Sequence, residues 1–234
     1  MQNTRRETDF LLPSQALAED LVLKFNGESP YGMLTAAIRP AGIYGERDTT
    51  VSYKMIEHAS RSSLTALRFQ LGPNNNLFDF TYVGNVAYSH MLAAERLLAT
   101  KKRYKAGVNA PLDYERVDGE GFIITNDSPV YFWDMAHAVW ALMGRVVEPH
   151  QVWEMSEGVL TVVGGVLETV LACFGKTPRL TRRVVRYSCM TRYYSCDKAK
   201  QRLGYVPVVP VDEGVARSVA NIMEQKRSAK EREL

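Results

Sequence analysis

Short apolar runs alternate along this chain with stretches whose apolar residues recur at helical spacing. Strands are predicted at 33–38, 67–71, 77–83 and 122–125, and helices at 14–26, 50–61, 85–99, 130–143, 197–203 and 212–225. The stretch 101–116 is predicted to be a loop, 186–190 an extended segment and 226–234 a frayed tail. Such alternation is typical of the α/β class with a parallel sheet. No strand precedes the first helix, for which Ser14 is the predicted cap.

A proline and two glycines follow the first predicted strand, in the stretch Arg39-Pro40-Ala41-Gly42-Ile43-Tyr44-Gly45. These residues predict a loop. Loops at the carboxyl ends of parallel strands are where α/β sheets bind ligands. The segment is therefore a candidate binding loop.

The composition is that of a globular protein, with 46% hydrophobic and 24% charged residues. A net charge of +3 is too small to indicate a nucleic-acid partner, which requires a concentrated basic face. The three cysteines have no paired spacing, which favours free thiols in a reducing compartment. The polar N-terminus does not have the pattern of a secretory signal.

The segment 158–174 is strongly apolar, but it is only 17 residues long and contains Glu168. A spanning helix needs ~20 apolar residues. A buried core helix and a helix in the membrane interface both fit the pattern. The arginines that follow, from Arg179 to Arg186, suit either a solvated face or contact with anionic headgroups.

Motifs for other chemistries are missing from the sequence. It contains no Gly-x-Gly-x-x-Gly turn, no P-loop, no serine nucleophile elbow and no Cys/His spacing typical of a metal site. The four histidines are isolated. We therefore predict no metal.

Four stretches carry a family resemblance, and they lie at 34–48, 78–98, 122–144 and 192–219. In this order they resemble the sterol 4-carboxylate 3-dehydrogenases and the 3β-hydroxysteroid dehydrogenases. The resemblance covers about residues 14–222 and implies the C-terminal part of an extended short-chain dehydrogenase, N-terminally truncated. It implies a partial Rossmann-type parallel sheet and a small substrate lobe.

The domains that the resemblance implies run in sequence along the chain. An atypical segment at 1–13 precedes a Rossmann-type remnant at 14–118. The substrate lobe spans 119–222 and includes the apolar helix 158–174, and a charged tail occupies 223–234.

The catalytic tyrosine and lysine of the family fall on Leu11 and Gln15. Neither leucine nor glutamine can act as a general base, a role that typically contributes ~10²–10⁴ in rate. The resemblance therefore assigns no catalytic residue to this chain and does not establish that it is active. Tyr194 and Lys198 also match Tyr-x-x-x-Lys. The resemblance assigns them to the start of a helix in the substrate lobe rather than to catalysis.

Six other residues are assigned to binding by the resemblance. Pro40, Gly42 and Ile43 would lie against the nicotinamide of NAD or NADP, although the proline and glycine also suit a simple turn. Tyr44, Tyr82 and Asn85 would line a sterol cleft, with core packing as the alternative for the tyrosines.

The implied activity is oxidation of a sterol or triterpenoid 3β-hydroxyl, linked to loss of the 4-carboxylate. A cofactor-free isomerase or cyclase on a dehydrogenase remnant, or an inactive fragment, are the alternatives. A bilayer-dissolved substrate implies the cytosolic face of the endoplasmic reticulum or the cytoplasm, with a membrane surface as partner through 158–174. An open sheet edge predicts a protein partner or self-association.

Overall fold

The structure is a computed structural model that describes residues 4–27, 32–176, 178 and 180–232, with the side chains from Ser14 onward. The helices are α1 Thr4–Lys24, α2 Ser52–Arg61, α3 Leu64–Leu67, α4 Val83–Lys105, α5 Phe132–Leu142, α6 Glu157–Cys173, α7 Arg182–Cys189, α8 Asp197–Leu203 and α9 Val211–Arg232. The strands are β1 Ala36–Pro40, β2 Gly42–Tyr44, β3 Phe69–Leu71, β4 Leu77–Phe78, β5 Phe80–Tyr82, β6 Glu120–Ile124, β7 Val130–Tyr131 and β8 Trp153–Met155.

The strands form four pairs among the described residues, β1 with β6, β2 with β5, β3 with β8 and β4 with β7. The first three pairs are parallel and the fourth is antiparallel. Helices and parallel strands alternate as predicted, which confirms the α/β class.

Two compact units divide the chain. The first unit comprises residues 1–40, 85–124 and 195–208, and the second comprises 41–84, 125–194 and 209–234. These units interleave along the chain, whereas the predicted functional domains follow one another with a boundary at 118. The functional division stays a prediction.

The first unit is organised around β1 and β6. Its core is small and lies where α8 packs against β6, with Phe122, Ile124, Leu203 and Tyr205 almost fully buried. Lys198 on α8 donates to Glu120 Oε2 at 2.7 Å and to the Gly121 carbonyl at 2.9 Å. This ion pair joins the helix to the edge of β6.

The second unit has an aromatic core. Rings of Phe78, Phe80 and Phe132 pack on one another with centroids 4.9 to 6.2 Å apart. The Trp140 indole is buried and donates to the Met55 carbonyl at 3.1 Å, which joins α5 to α2. Such offset and edge-to-face packing is the preferred geometry of aromatic rings.

Several element boundaries differ from prediction. The loop predicted at Pro40–Gly45 is mostly strand, because Pro40 ends β1 opposite Ile124 and Gly42–Tyr44 pairs with β5. Helix α1 begins at Thr4 rather than Ser14, and its backbone continues through Pro13. A proline removes one helical hydrogen bond and disfavours a helix, but does not forbid it.

Three segments predicted to be irregular are at least partly helical. Residues 101–105 of the predicted loop 101–116 form the last turn of α4, where basic side chains favour the negative end of the helix dipole. Residues 186–189 of the predicted extended segment 186–190 belong to α7, whose first turn is capped by Thr181. The predicted tail 226–234 is helical to Arg232, with Arg227 paired to Glu224 and Glu231.

Within the described part of the chain, no helix is long and apolar enough to cross a membrane. Helix α6 is the apolar segment identified in the sequence. Cys173, Cys189 and Cys196 form no disulfide among the described residues.

Candidate functional site around the ends of β2 and β5

Two tyrosines end neighbouring parallel strands of the second unit. Tyr44 ends β2 and Tyr82 ends β5, and the register places them directly opposite each other. Their rings meet edge to face at a centroid distance of 5.9 Å. Both side chains are buried, with 0% and 4% exposure.

The two phenol groups are hydrogen-bonded inside the unit. Tyr44 Oη donates to the Val211 carbonyl at 3.2 Å, and Tyr82 Oη donates to the Glu46 carboxylate at 2.7 and 2.8 Å. Burial raises the pKa of Tyr44 well above its usual range. Burial and the hydrogen bond to Glu46 raise the pKa of Tyr82. A phenol acts as a base only when ionised, so neither tyrosine is suited to that role near neutral pH.

Helix α9 approaches these rings through a glycine. A Cβ added at Gly214 would lie 2.7 Å from Tyr44 Oη and 3.0 Å from Tyr82 Cδ2. Ser218, one turn further, donates to the Gly45 carbonyl at 2.8 Å. The ends of β2 and β5 are thus closed by α9.

The Glu46-Arg47-Asp48 segment after β2 is a structural loop. The Asp48 carboxylate accepts from the backbone N–H of Thr50, Val51 and Ser52 at 2.6 to 3.1 Å, which caps α2. Arg47 has a left-handed φ of 62°, and its N–H donates to Asn221 Oδ1 at 3.1 Å. Side chains outside the loop therefore hold it in a conformation uncommon for arginine.

Asn126 is a central residue that the sequence indicated only as turn punctuation. Its Oδ1 accepts from the Tyr82 N–H at 2.9 Å, and its Nδ2 donates to the Val209 carbonyl at 3.0 Å. The side chain is 5% exposed. A buried amide with both ends bonded fixes the backbone at the end of β5. Its position right after a predicted strand was the available signal.

Asn85, the third predicted substrate residue, lies in the first unit, near the start of α4. It is fully buried, and its Oδ1 accepts from the Val208 N–H at 3.0 Å. Its role in a sterol cleft stays a prediction, as do those of Tyr44 and Tyr82.

Pro40, Gly42 and Ile43, predicted to contact the cofactor, lie on or next to strands. Ile43 is 40% exposed, and Pro40 and Gly42 are half-buried. A Cβ at Gly42 would make ordinary contacts at 3.5 to 3.6 Å with the Asp79 carbonyl and the rings of Phe78 and Phe80. A side chain at position 42 would therefore be tolerated, so this glycine is not needed to leave room for a ligand against the backbone.

Leu11 and Gln15, which the resemblance aligns with the family's catalytic tyrosine and lysine, both lie on α1. Leu11 is in the helix, but its side chain lies outside the described residues, and Gln15 is exposed. The Tyr194 and Lys198 pattern does not form a helical pair, because α8 begins at Asp197. Tyr194 N–H donates to Asp79 Oδ2 at 2.7 Å instead.

The residues present do not fit a whole dinucleotide. The sequence carries no glycine-rich turn for the pyrophosphate, and of Pro40, Gly42 and Ile43 only Ile43 is exposed. Neither buried tyrosine is suited to act as a base near neutral pH, because burial raises the pKa of both phenols. Among the described residues there is also no cluster of three or more histidine, cysteine or carboxylate side chains able to hold a metal.

The sequence matches the model of the 3-beta hydroxysteroid dehydrogenase/isomerase family over residues 2–155. The chain belongs to this family. The match begins at residue 2, so it includes the segment 1–13. It ends before α6.

Relatives within the family are named for one activity. The chain is 41% identical over 207 residues to sterol-4-alpha-carboxylate 3-dehydrogenase, decarboxylating, of Saccharomyces cerevisiae, covering 88% of this chain and 54% of the relative. It is 33% identical over 212 residues to the enzyme of the same name from Mus musculus, covering 90% and 54%. The chain thus spans about half the length of the curated relatives that it matches.

Solved structures support the fold. The chain resembles a UDP-glucose 4-epimerase of Thermotoga maritima with a TM-score of 0.53 at 20% identity, covering 89% of this chain and 51% of that one. It resembles a dTDP-glucose 4,6-dehydratase of Bacillus anthracis, solved in complex with NAD, with a TM-score of 0.54 at 14% identity, covering 92% and 52%. The predicted extended short-chain dehydrogenase fold with Rossmann-type topology is therefore confirmed.

Proposed function

We propose that this chain supplies the substrate-side part of an NAD(P)-dependent dehydrogenase that acts on a sterol or triterpenoid 4-carboxylate. The observation that carries the proposal is the 41% identity to the yeast sterol-4-alpha-carboxylate 3-dehydrogenase across 88% of the chain. The family model matches residues 2–155, which include β2 and β5, the strands that carry Tyr44 and Tyr82.

The reaction proposed is oxidation of the 3β-hydroxyl, followed by loss of the 4-carboxylate as carbon dioxide. A ketone at C3 allows this loss because the resulting enolate accepts the electrons of the broken bond. A dinucleotide bound by the whole enzyme would supply the hydride acceptor for this oxidation. The residues of this chain proposed to face its nicotinamide end are Pro40, Gly42 and Ile43.

Tyr44, Tyr82 and Asn85 are proposed to shape the sterol site rather than to exchange protons with the substrate. Their polar atoms are buried and hydrogen-bonded to Val211, Glu46 and Val208. Side chains held in this way give a binding wall a fixed form.

Leu11 and Gln15 argue against redox chemistry in this chain but not against substrate binding. Leucine exchanges no proton and glutamine carries no charge, so we expect no hydride-transfer turnover from these 234 residues. This observation favours a second candidate, a sterol-binding isomerase or cyclase that uses no nucleotide. An inactive remnant would retain neither activity nor sterol binding.

Two titrations of the purified chain test these proposals. A fluorescent sterol 4-carboxylate is expected to bind, and a sterol methylated at the carboxylate is the matched control for the acidic group. NADH and NADPH fluorescence is expected to show no micromolar binding. Micromolar dinucleotide binding would contradict the cofactor-free alternative, and turnover with NAD(P) would contradict the conclusion drawn from Leu11 and Gln15. Failure of the sterol acid to bind would overturn the substrate-side proposal.

The substrate also suggests where the chain works. Because sterols are dissolved in bilayers, we propose the cytosolic face of the endoplasmic reticulum, with the cytoplasm as the alternative. We also propose a partner chain, or a second copy, beside the edge of β1 that has no strand neighbour among the described residues.

A further inference from the structure

Helix α6 has an exposed apolar face within the second unit. We call it the outer stripe, and it consists of Val159, Val162, Val163, Val166, Val170 and Phe174. These side chains are 41 to 72% exposed and recur every three or four residues, so they lie along one side of the helix. A contiguous exposed apolar surface of this kind marks an interaction site.

The single carboxylate in the middle of α6 points away from solvent. Glu168 is 16% exposed, and its oxygens accept from the Arg182 N–H at 3.0 Å and from Arg182 Nε at 3.2 Å. It therefore caps the first turn of α7 together with Thr181. The outer stripe thus stays free of charge although the helix contains a glutamate.

Two glycines let α7 approach α6 closely. A Cβ at Gly164 would lie 3.1 Å from the Arg182 backbone nitrogen, and one at Gly165 would lie 3.4 Å from Arg182 Cδ. The contact brings the Arg182 side chain to the rim of a shallow depression of about 370 Å³. The depression is lined by Gly165, Val166, Thr169, Val170 and Arg182.

The Arg182 guanidinium is held in place by Glu168 but keeps further hydrogen-bond donors available. Glu168 holds its Nε, whereas no hydrogen bond or ion pair joins Nη1 or Nη2 to another described residue. The side chain is 63% exposed. A guanidinium fixed on one edge presents its other donors in a planar fork that matches the oxygens of a phosphate.

We propose that this depression seats the phosphate headgroup of an anionic phospholipid while the outer stripe lies in the bilayer interface. Val166 and Val170 belong to both the outer stripe and the depression. The acyl chains and the phosphate headgroup of one lipid would therefore contact neighbouring parts of α6. Arg183 and Arg186, also on α7, are exposed as well and add positive charge to this helix. The seat extends the proposed function, in which the substrate is dissolved in the membrane.

The length of α6 suits an interfacial position. Its 17 residues span about 25 Å at 1.5 Å per residue, and the exposed charges of α7 favour a surface location. Arg179 of the basic run lies outside the described residues, so the positive charge considered on α7 does not include it.

Vesicle flotation with two arginine variants tests the seat. The probes are phosphatidylcholine vesicles with and without one third phosphatidic acid, and the variants are Arg182→Gln and Arg186→Gln. Each loses one charge from α7, which by itself weakens binding about fivefold. Arg182→Gln is expected to lose at least about tenfold more, because charged hydrogen bonds to phosphate are lost as well. Equal losses would show general Coulomb attraction alone and overturn the seat.

Further variants separate the seat from folding defects. Arg182→Lys keeps the charge without the fork and is expected to bind between the parent and Arg182→Gln. The double variant Val166→Ser/Val170→Ser leaves Arg182 and Glu168 in place and is expected to weaken binding. Its matched control is Val206→Ser/Val208→Ser, which alters valines that are 66% and 64% exposed elsewhere. Equal behaviour of the two valine pairs would contradict the proposal.

A competition experiment identifies the source of the phosphate. Short-chain phosphatidic acid, kept below its micelle concentration, is expected to compete with vesicles, and inorganic phosphate at the same concentration is not. Equal competition would assign the site to free phosphate instead of lipid. If the Val166/Val170 variant dissociates a dimer without changing flotation, the stripe is an interface between copies and the lipid seat is wrong. No sterol is present in these experiments, so their failure is distinguishable from failure of the sterol proposal.

Discussion

Gly214 lies so close beneath Tyr44 that a Cβ at this position would stand 2.7 Å from the phenol oxygen. The ring of Tyr82 would also be only 3.0 Å away. Since both rings are buried and neither can move into solvent, α9 closes the ends of β2 and β5 only because residue 214 has no side chain.

Gly214→Ala is therefore expected to destabilise the protein. Overpacking a buried site typically costs about 1–3 kcal/mol. Urea unfolding followed by circular dichroism measures the change in the free energy of unfolding. Gly158→Ala is the control, because a Cβ there would meet only Ser156 Oγ at 3.8 Å. The control is expected to be neutral or slightly stabilising, since alanine favours helix over glycine. Equal destabilisation by both would contradict the close approach of α9.

Asn126→Ala is expected to lower the free energy of unfolding by about 1–3 kcal/mol, because it removes the hydrogen bonds that this buried amide makes with the Tyr82 N–H and the Val209 carbonyl. The control is Asn75→Ala, an exposed position, where about ±0.5 kcal/mol is expected. An Asn126→Ala protein as stable as the control would show that the amide is not needed at this strand end.

His137 predicts a loss of stability at mildly acid pH. Burial against Trp133 and Trp140 lowers the pKa of His137 below the ordinary histidine value, and Asp134 opposes this in part. The unfolded chain then binds the proton more readily than the folded one. Stability is complete above about pH 6.5 and falls as the pH drops through that value toward the lower folded pKa.

The measurement is the free energy of unfolding at a series of pH values, for the parent and for His137→Gln. The variant should lack the part of the decline that His137 causes. Parallel profiles of parent and variant between pH 7.5 and 5, a range that brackets the ordinary histidine pKa, would be the contrary result.

Lys198 is expected to stabilise the first unit and to take no part in catalysis. Its ammonium lowers the pKa of Glu120 below the usual glutamate value. Lys198→Met should reduce stability at pH 7 by about 0.5–1 kcal/mol, because both side chains are partly exposed and solvent screens the pair. This contribution is present above pH 4.5 and is lost as the pH falls through the folded pKa of Glu120.

Lys54→Met, which removes an exposed lysine from α2, is the control for loss of one charge. Chemical denaturation at pH 7 and at pH 3, below the ordinary glutamate pKa, should show a difference between the two variants only at pH 7. A difference that persists in acid would indicate that the contact of the Lys198 ammonium with the Phe122 ring, rather than the ion pair, is responsible.

Sequence patterns predicted the long elements well where one periodicity ran over many residues. Helices α2, α4 and α5 and the strands β1 and β6 lie close to their predicted positions. The two-residue strand β7 and the strand Trp153–Met155 are too short for a period to show, whereas β4 and β5 lie inside the predicted strand 77–83. The last turns of α4 and α9 were missed because their charged side chains look like loop composition, although lysine, arginine and glutamate are good helix formers.

The amino-acid sequence by itself determined the α/β class, the family and the identities of Leu11 and Gln15, because these depend on residue order and on which side chains carry a proton or a charge. Only the tertiary structure decided what the buried polar groups do. Tyr44 and Tyr82 look like cleft residues in the sequence, yet both donate inward. Glu168 looks out of place in an apolar helix, yet it caps α7. Hydrogen-bond partners such as these lie 14 to 167 residues away along the chain, and no local pattern encodes such distances.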